Sequence, residues 1–81
     1  MSDKNSIESF LEIIRSQFNE VTRLSITEIT DLKSLDEWSS LQTMIIVNEI
    51  DKNYGVVLTF DEIKNGNTVR KLYKTVKNKI T

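Results

Sequence analysis

The stretch from Ser40 to Gly55 constrains this chain more than any other. It has the spacing of a helix, yet it is apolar on two sides. At about 100° per residue, Thr43, Ile46, Val47, Ile50 and Tyr54 fall on one side, which is the core stripe. Leu41, Met44 and Ile45 fall nearly opposite, and Asn48 and Lys52 continue that second line. A small bundle buries one face of a helix. The other must be covered by a further element or kept for a partner, since apolar surface beside a polar rim marks interaction sites. Methionine suits such adaptable contacts. The helix has a clear stop at Asn53-Tyr54-Gly55, because glycine takes the left-handed cap conformation cheaply.

Its start is as informative as its faces. Trp38, Ser39 and Ser40 stand where a polar connector becomes helix. Unpaired backbone N–H groups and the macrodipole make a helix start a seat for an anion. A serine hydroxyl there is well set to carry a phosphodiester. The plainer role for Ser39 or Ser40 is N-capping, which one of them is expected to perform. Trp38 is read as a staple packed against the first turn; the other reading leaves it exposed at the mouth of a docking site.

The rest of the chain supplies three more helices. The first runs from about Ser6 to Asn19, with Ile7, Phe10, Leu11, Ile14 and Phe18 in one stripe, Ser6 as cap and Glu8 in the first turn. A short one spans about Phe60 to Lys64, opened by a Thr59/Glu62 capping box and ended by Asn65-Gly66-Asn67. The last covers about residues 69–80, capped by Thr68, with Val69, Leu72, Tyr73, Val76 and Ile80 inward and a Lys-rich end that suits the dipole. Val56-Val57-Leu58 is too short and too partnerless for a strand and bridges two helices. Residues 20–38 form a long connector in which Val21, Leu24, Ile26, Ile29, Leu32 and Leu35 keep no sustained helical period. Connectors of that length are pinned or functional. This one is expected to lie over the core with one short turn of helix. The sum is an all-α bundle of three longer helices and one short helix, in a single domain of residues 1–81.

Composition narrows the function. The 81 residues include no cysteine and no histidine. Disulfides, thiolate metal sites and a cysteine nucleophile are excluded, and the commonest general base is missing. A conventional enzyme is therefore not expected. No apolar run reaches the roughly 20 residues of a membrane span. Met1 to Ser6 lacks the basic and apolar regions of a signal peptide. The expectation is a cytoplasmic monomer without membrane contact. Net charge is −1, so bulk electrostatics do not favour nucleic acid. The charge is uneven: Asp36, Glu37, Glu49, Asp51, Asp61 and Glu62 face only Lys52 in the middle, whereas Lys64, Arg70, Lys71, Lys74, Lys77 and Lys79 stand in the tail with no acid.

The residues Glu37-Trp38-Ser39-Ser40-Leu41, with Tyr54-Gly55 downstream, resemble the acyl carrier protein family over nearly the whole chain. That family carries Asp-Ser-Leu at the start of the second of four helices, with phosphopantetheine on the serine. The spacing to Tyr54-Gly55 aligns Ser40 with the modified serine and Leu41 with the motif leucine. Leu35-Asp36-Glu37-Trp38 looks like the lead-in of some discrete bacterial carriers, and Thr68-Val69 fits the start of the last helix. The motif aspartate is Ser39 here, and among Gln42, Ile45, Asn48, Asp51 and Lys52 only Asp51 keeps the acid of the family's docking helix.

The resemblance implies 4'-phosphopantetheine attached covalently to Ser40, with Ser39 and Leu41 as motif neighbours. It implies a phosphopantetheinyl transferase and acyl-loading and acyl-processing enzymes as partners. These would meet Asp36, Glu37, Trp38, Leu41, Met44, Ile45, Asn48 and Asp51. Ile46, Val47, Ile50, Phe60, Ile63, Val69 and Leu72 would line an interior able to shelter a short acyl chain. A discrete carrier of this size serves fatty acid, polyketide, peptide or surface-glycan chemistry. Two alternatives remain open at this point: a peptidyl carrier loaded with an amino acid, and a carrier-like interaction module that is never modified, which the Ser39 departure favours. A helical nucleic-acid binder using the Lys-rich last helix is opposed by the acidic middle.

Overall fold

Local capping chemistry sets the helix starts, and the computed structural model, which describes residues 6–80, shows each cap in place. The reading of Met1–Asn5 lies outside the described residues. Ser6 accepts the Ser9 N–H and opens α1, Ile7–Arg15. Ser39 opens α3, Ser40–Tyr54, which closes on Gly55 at φ 68°. A Cβ at Gly55 would meet nothing within 4 Å, so the left-handed backbone alone calls for glycine there. The Thr59/Glu62 capping box opens α4, Phe60–Asn65. Thr68 Oγ1 accepts the Lys71 N–H at 3.2 Å and caps α5, Val69–Ile80.

Two departures from the sequence reading lie in and before the connector. The first helix ends at Arg15, four residues early. The Gln17 and Phe18 N–H groups bond three residues back, to Ile14 and Arg15, which tightens the exit turn and carries Phe18 into the core. Arg23 then reaches back to the carbonyls of Arg15 and Phe18 at 3.3 and 3.2 Å, a cation on the exposed carbonyl end of α1. The connector itself holds a fifth helix, α2, Glu20–Ser25, capped by Asn19, as well as a 3-10 turn, Leu32–Ser34. No residue of α2 is buried, which is why apolar periodicity does not reveal it.

The connector lies over the core, but only some of its aliphatics hold it. Ile26 and Leu32 are buried, whereas Val21 (81%), Leu24 (85%) and Ile29 face solvent. Polar pins do the remainder. Arg15 Nε donates to the Ile26 carbonyl at 2.8 Å. The Arg70 N–H bonds Glu28 O at 2.8 Å and the Leu32 N–H bonds Asn67 O at 2.9 Å. Arg70 and Glu28 also form an ion pair.

Phe10, Ile14, Ile46, Ile50, Val69, Leu72 and Val76 belong to one buried cluster. Phe10 of α1 meets Tyr54 of α3 and Tyr73 of α5 at ring-centroid distances of 5.8 and 5.6 Å, so three helices converge on one ring. Residues 56–59 are neither helix nor strand. Val56 and Leu58 point in while Val57 points out, so the segment bridges α3 and α4 as expected.

Glu62 is the acid that ties α4 to the rest. It takes the Thr59 N–H at 2.9 Å and pairs with Lys79 Nζ at 2.7 Å. Lys79 first, then the Thr59 N–H, hold its carboxyl below the ordinary 4.5. A depressed carboxylate adds stability above the unfolded-chain value and loses it as pH falls through the folded one. Glu62→Gln should therefore destabilise the protein at neutral pH, with the gap to the parent closing as pH falls from about 5 to about 3. Urea unfolding across that range reads the effect; a gap that persists at low pH would show that the carboxylate is not its source.

Candidate functional site

The two serines divide the work at the start of α3. Ser39 is extended and its Oγ accepts the Gln42 N–H at 3.1 Å. Its carbonyl takes the Thr43 N–H and Thr43 Oγ1, both at 3.0 Å. Ser39 is thus the cap. Ser40, the first helical residue, is exposed, and nothing among the described residues bonds its hydroxyl. The N–H groups of Ser40 and Leu41 have no carbonyl a turn behind them and leave the positive end of α3 open beside that hydroxyl. A phosphodiester on Ser40 fits there: the oxygen is reachable and the positive end of the helix dipole stabilises the added negative charge.

What lies around the serine follows from how α3 is rotated. Its buried residues are Gln42, Thr43, Ile46 and Ile50. The inward sector is therefore centred nearer Ile46 than the sequence pattern implies, with Val47 and Tyr54 only half-buried. Gln42, aligned with an exposed docking position, is instead inside. Its Nε2 donates to the Gln17 carbonyl at 2.9 Å, so the exit of α1 covers that side of α3. Ile45 is half-buried by the same rotation. Leu41 (68% exposed) and Met44 (53%) stay outside, as do Asn48, Asp51 and Asp36. Trp38 is half-buried and packs against the core cluster. Glu37 turns toward α2: its Oε1 accepts the Asn19 N–H at 3.3 Å, and its Oε2 is buried without a hydrogen bond.

Ser40, Met44, Val47 and Asp51 follow each other at three- and four-residue steps, so they share one line along α3. An open pocket of about 280 Å³ begins on that line, one turn below the serine. Met44, Val47 and Asn48 form one wall; Leu58, Thr59 and Phe60 form the other. Of the residues expected to line an interior, only Val47 and Phe60 border this pocket. Ile46, Ile50, Ile63, Val69 and Leu72 are packed core. Phe60 is not an interior residue either: it is 65% exposed and forms the rim. Leu58 and Thr59 were not legible as lining. Val56, Val57 and Leu58 are all apolar in sequence, and only the structure shows Val57 turned outward between two buried neighbours.

A reachable hydroxyl at an open helix start, set in line with an apolar pocket, defines a small attachment domain, a protein that carries a group for others. The family model for the phosphopantetheine attachment site matches residues 12–76, most of the chain. The chain belongs to that family, whose domain is the site of covalent 4'-phosphopantetheine attachment. Comparison with curated proteins and with solved structures gives no match.

The division of labour between the serines is measurable. Ser39→Ala should cost about 1 kcal/mol through the lost cap, whereas Ser40→Ala should stay within about 0.5 kcal/mol of the parent. Urea denaturation compares them, and the reverse order would make Ser40 the cap.

Proposed function

We propose that this chain is an acyl carrier protein with 4'-phosphopantetheine joined to Ser40. When bound, that group supplies the thiol that holds an acyl cargo as a thioester. The chain's own residues present the attachment oxygen, orient the arm and offer a surface to partner enzymes. The observation that carries the reading is the free Ser40 hydroxyl at the start of α3, beside a Ser39 that already serves as cap. The pocket on the Ser40 line favours an aliphatic cargo over an aminoacyl one, because its walls are Met44, Val47, Leu58 and Phe60 with only Asn48 and Thr59 polar. Fatty acid or polyketide biosynthesis is the chemistry this fits.

The partners are a phosphopantetheinyl transferase and acyl-loading and acyl-processing enzymes. Their contact would centre on Leu41 and Met44, with Asp36, Asn48 and Asp51 around it. Such a face steers a basic partner weakly and relies on apolar contact instead. The unmodified-module reading keeps one specific support, the missing acid at Ser39. Yet capping does not need that acid, since serine and aspartate cap about equally well.

Intact mass after co-expression with a broad-specificity phosphopantetheinyl transferase decides the matter. A gain of one phosphopantetheine on the Ser40 peptide is expected, and none on a folded Ser40→Ala variant. A gain that survives Ser40→Ala would move the attachment to Ser39. No gain on the folded parent would favour the unmodified module. Ser39→Asp keeps the cap and restores the acid, so it should speed attachment severalfold; an unchanged rate would mean that the acid does not limit recognition.

A further inference from the structure

The two walls of the α3–α4 pocket differ in how firmly they are held. Met44, Val47 and Asn48 sit on a fifteen-residue helix anchored by fully buried Ile46 and Ile50. Leu58, Thr59 and Phe60 sit on a strap and the start of a six-residue helix. A helix that short does not sustain itself and depends on its contacts for its position. The strap leaves α3 through left-handed Gly55 and ends at the Thr59 cap. The side chains of Val56 and Leu58 anchor it in the core, but Val57 and Phe60 face outward.

One ammonium group grips both movable parts. Lys79 Nζ, in the last turn of α5, donates to the Val57 carbonyl at 3.2 Å and pairs with Glu62 Oε1 at 2.7 Å. That same carboxylate oxygen receives the Thr59 N–H at 2.9 Å. The helix that carries Lys79 is itself fixed by buried Val69, Leu72 and Val76. The soft wall is thus tied to a stiff element.

We propose that Lys79 is a clamp that sets how far the pocket between α3 and α4 opens. Its use in cargo handling rests on the carrier reading above, whereas the clamp is a property of the fold. Releasing Lys79 frees the strap at Val57 and loosens Glu62, so the Leu58–Phe60 wall swings away from Met44 and Val47. Lys79 is a positioning residue and touches no cargo. Its pair with Glu62 is only partly buried, so release shifts the opening equilibrium by about two- to fivefold.

Nile red, an uncharged apolar dye, reads the pocket without responding directly to a lost charge. Lys79→Met should bind it about two- to fivefold more tightly than the parent, while Lys79→Arg, which keeps the pair, should match the parent. Amide hydrogen exchange in Lys79→Met should quicken more at Val57 to Phe60 than in α1 and α3, where only the lost global stability acts. Glu62→Gln, which breaks the clamp from the other side, should give the same local pattern. Unchanged local exchange in both variants overturns the proposal. So does exchange that quickens equally through α1, α3 and α5, because Lys79 would then be a general stability contact. Met44→Trp blocks the pocket mouth from the stiff wall. If dye binding survives it, the pocket is not where apolar cargo goes and the cargo reading fails, while the exchange result still judges the clamp.

Discussion

The burial of Ile46 and Ile50 on one side of α3 is the constraint from which the rest follows. Each contributes about 1.5–3 kcal/mol by leaving water, and together, one turn apart, they fix the rotation of a rigid helix. Gln42 and Thr43 are carried inward with them. Ser40, Met44 and Asp51 then turn outward, since their line runs about 110° around the cylinder from the Ile46–Ile50 side. The reach of the Ser40 hydroxyl is decided at Ile46, about 9 Å further along the axis. This explains how a site with few contacts of its own is nevertheless well placed.

The second side of α3 is closed by polar bonds more than by apolar ones. Gln42 reaches the Gln17 carbonyl and Glu37 reaches the Asn19 N–H, so the α1 exit and the α3 entry are joined next to the serine. Further along, Arg15, Asn67 and Arg70 pin the connector at Ile26, Leu32 and Glu28. Directed bonds of this kind fix a path without needing a dense apolar pattern. They also leave Val21 and Leu24 free of the core, because α2 is held by its cap and its ends and not by a buried face.

Those two modes of holding explain what the sequence could and could not reveal. Caps and stops were legible because they are local: Ser6, Gly55, Thr59 with Glu62, and Thr68 act on residues three or four away. The stripes of α1 and α5 were legible because each helix buries one face. The rotation of α3 was not, since two apolar lines compete there and the choice depends on Gln17, a residue on another element. α2 was hidden because nothing in it is buried. At the site, the outward Leu41 and Met44 could be read from spacing, whereas Ser40 was singled out through the family resemblance. The inward turn of Glu37 and the pocket wall at Leu58 and Thr59 could not, because each is set by where the chain returns in space. Phe60 was misread because a large aromatic at a helix start resembles a core residue until the pocket beside it is known.

Ser39 shows that one position can hold two separable roles. An aspartate there would cap α3 and also place a negative charge beside the Ser40 hydroxyl. Serine keeps the first role, with the Gln42 N–H on its Oγ, and gives up the second. The neighbours do not restore the charge: Glu37 is turned toward Asn19 and Gln42 is buried, which leaves Asp36 and Asp51 at the two ends of the face. The fold therefore loses nothing by the exchange, while the surface around Ser40 becomes nearly neutral and its centre is Leu41 and Met44. Long-range attraction acts on charge and fades with salt, whereas apolar contact acts only at close range and is largely indifferent to salt. On the carrier reading proposed above, recognition at this serine would rest less on steering than on fit to the shape of the α3 surface.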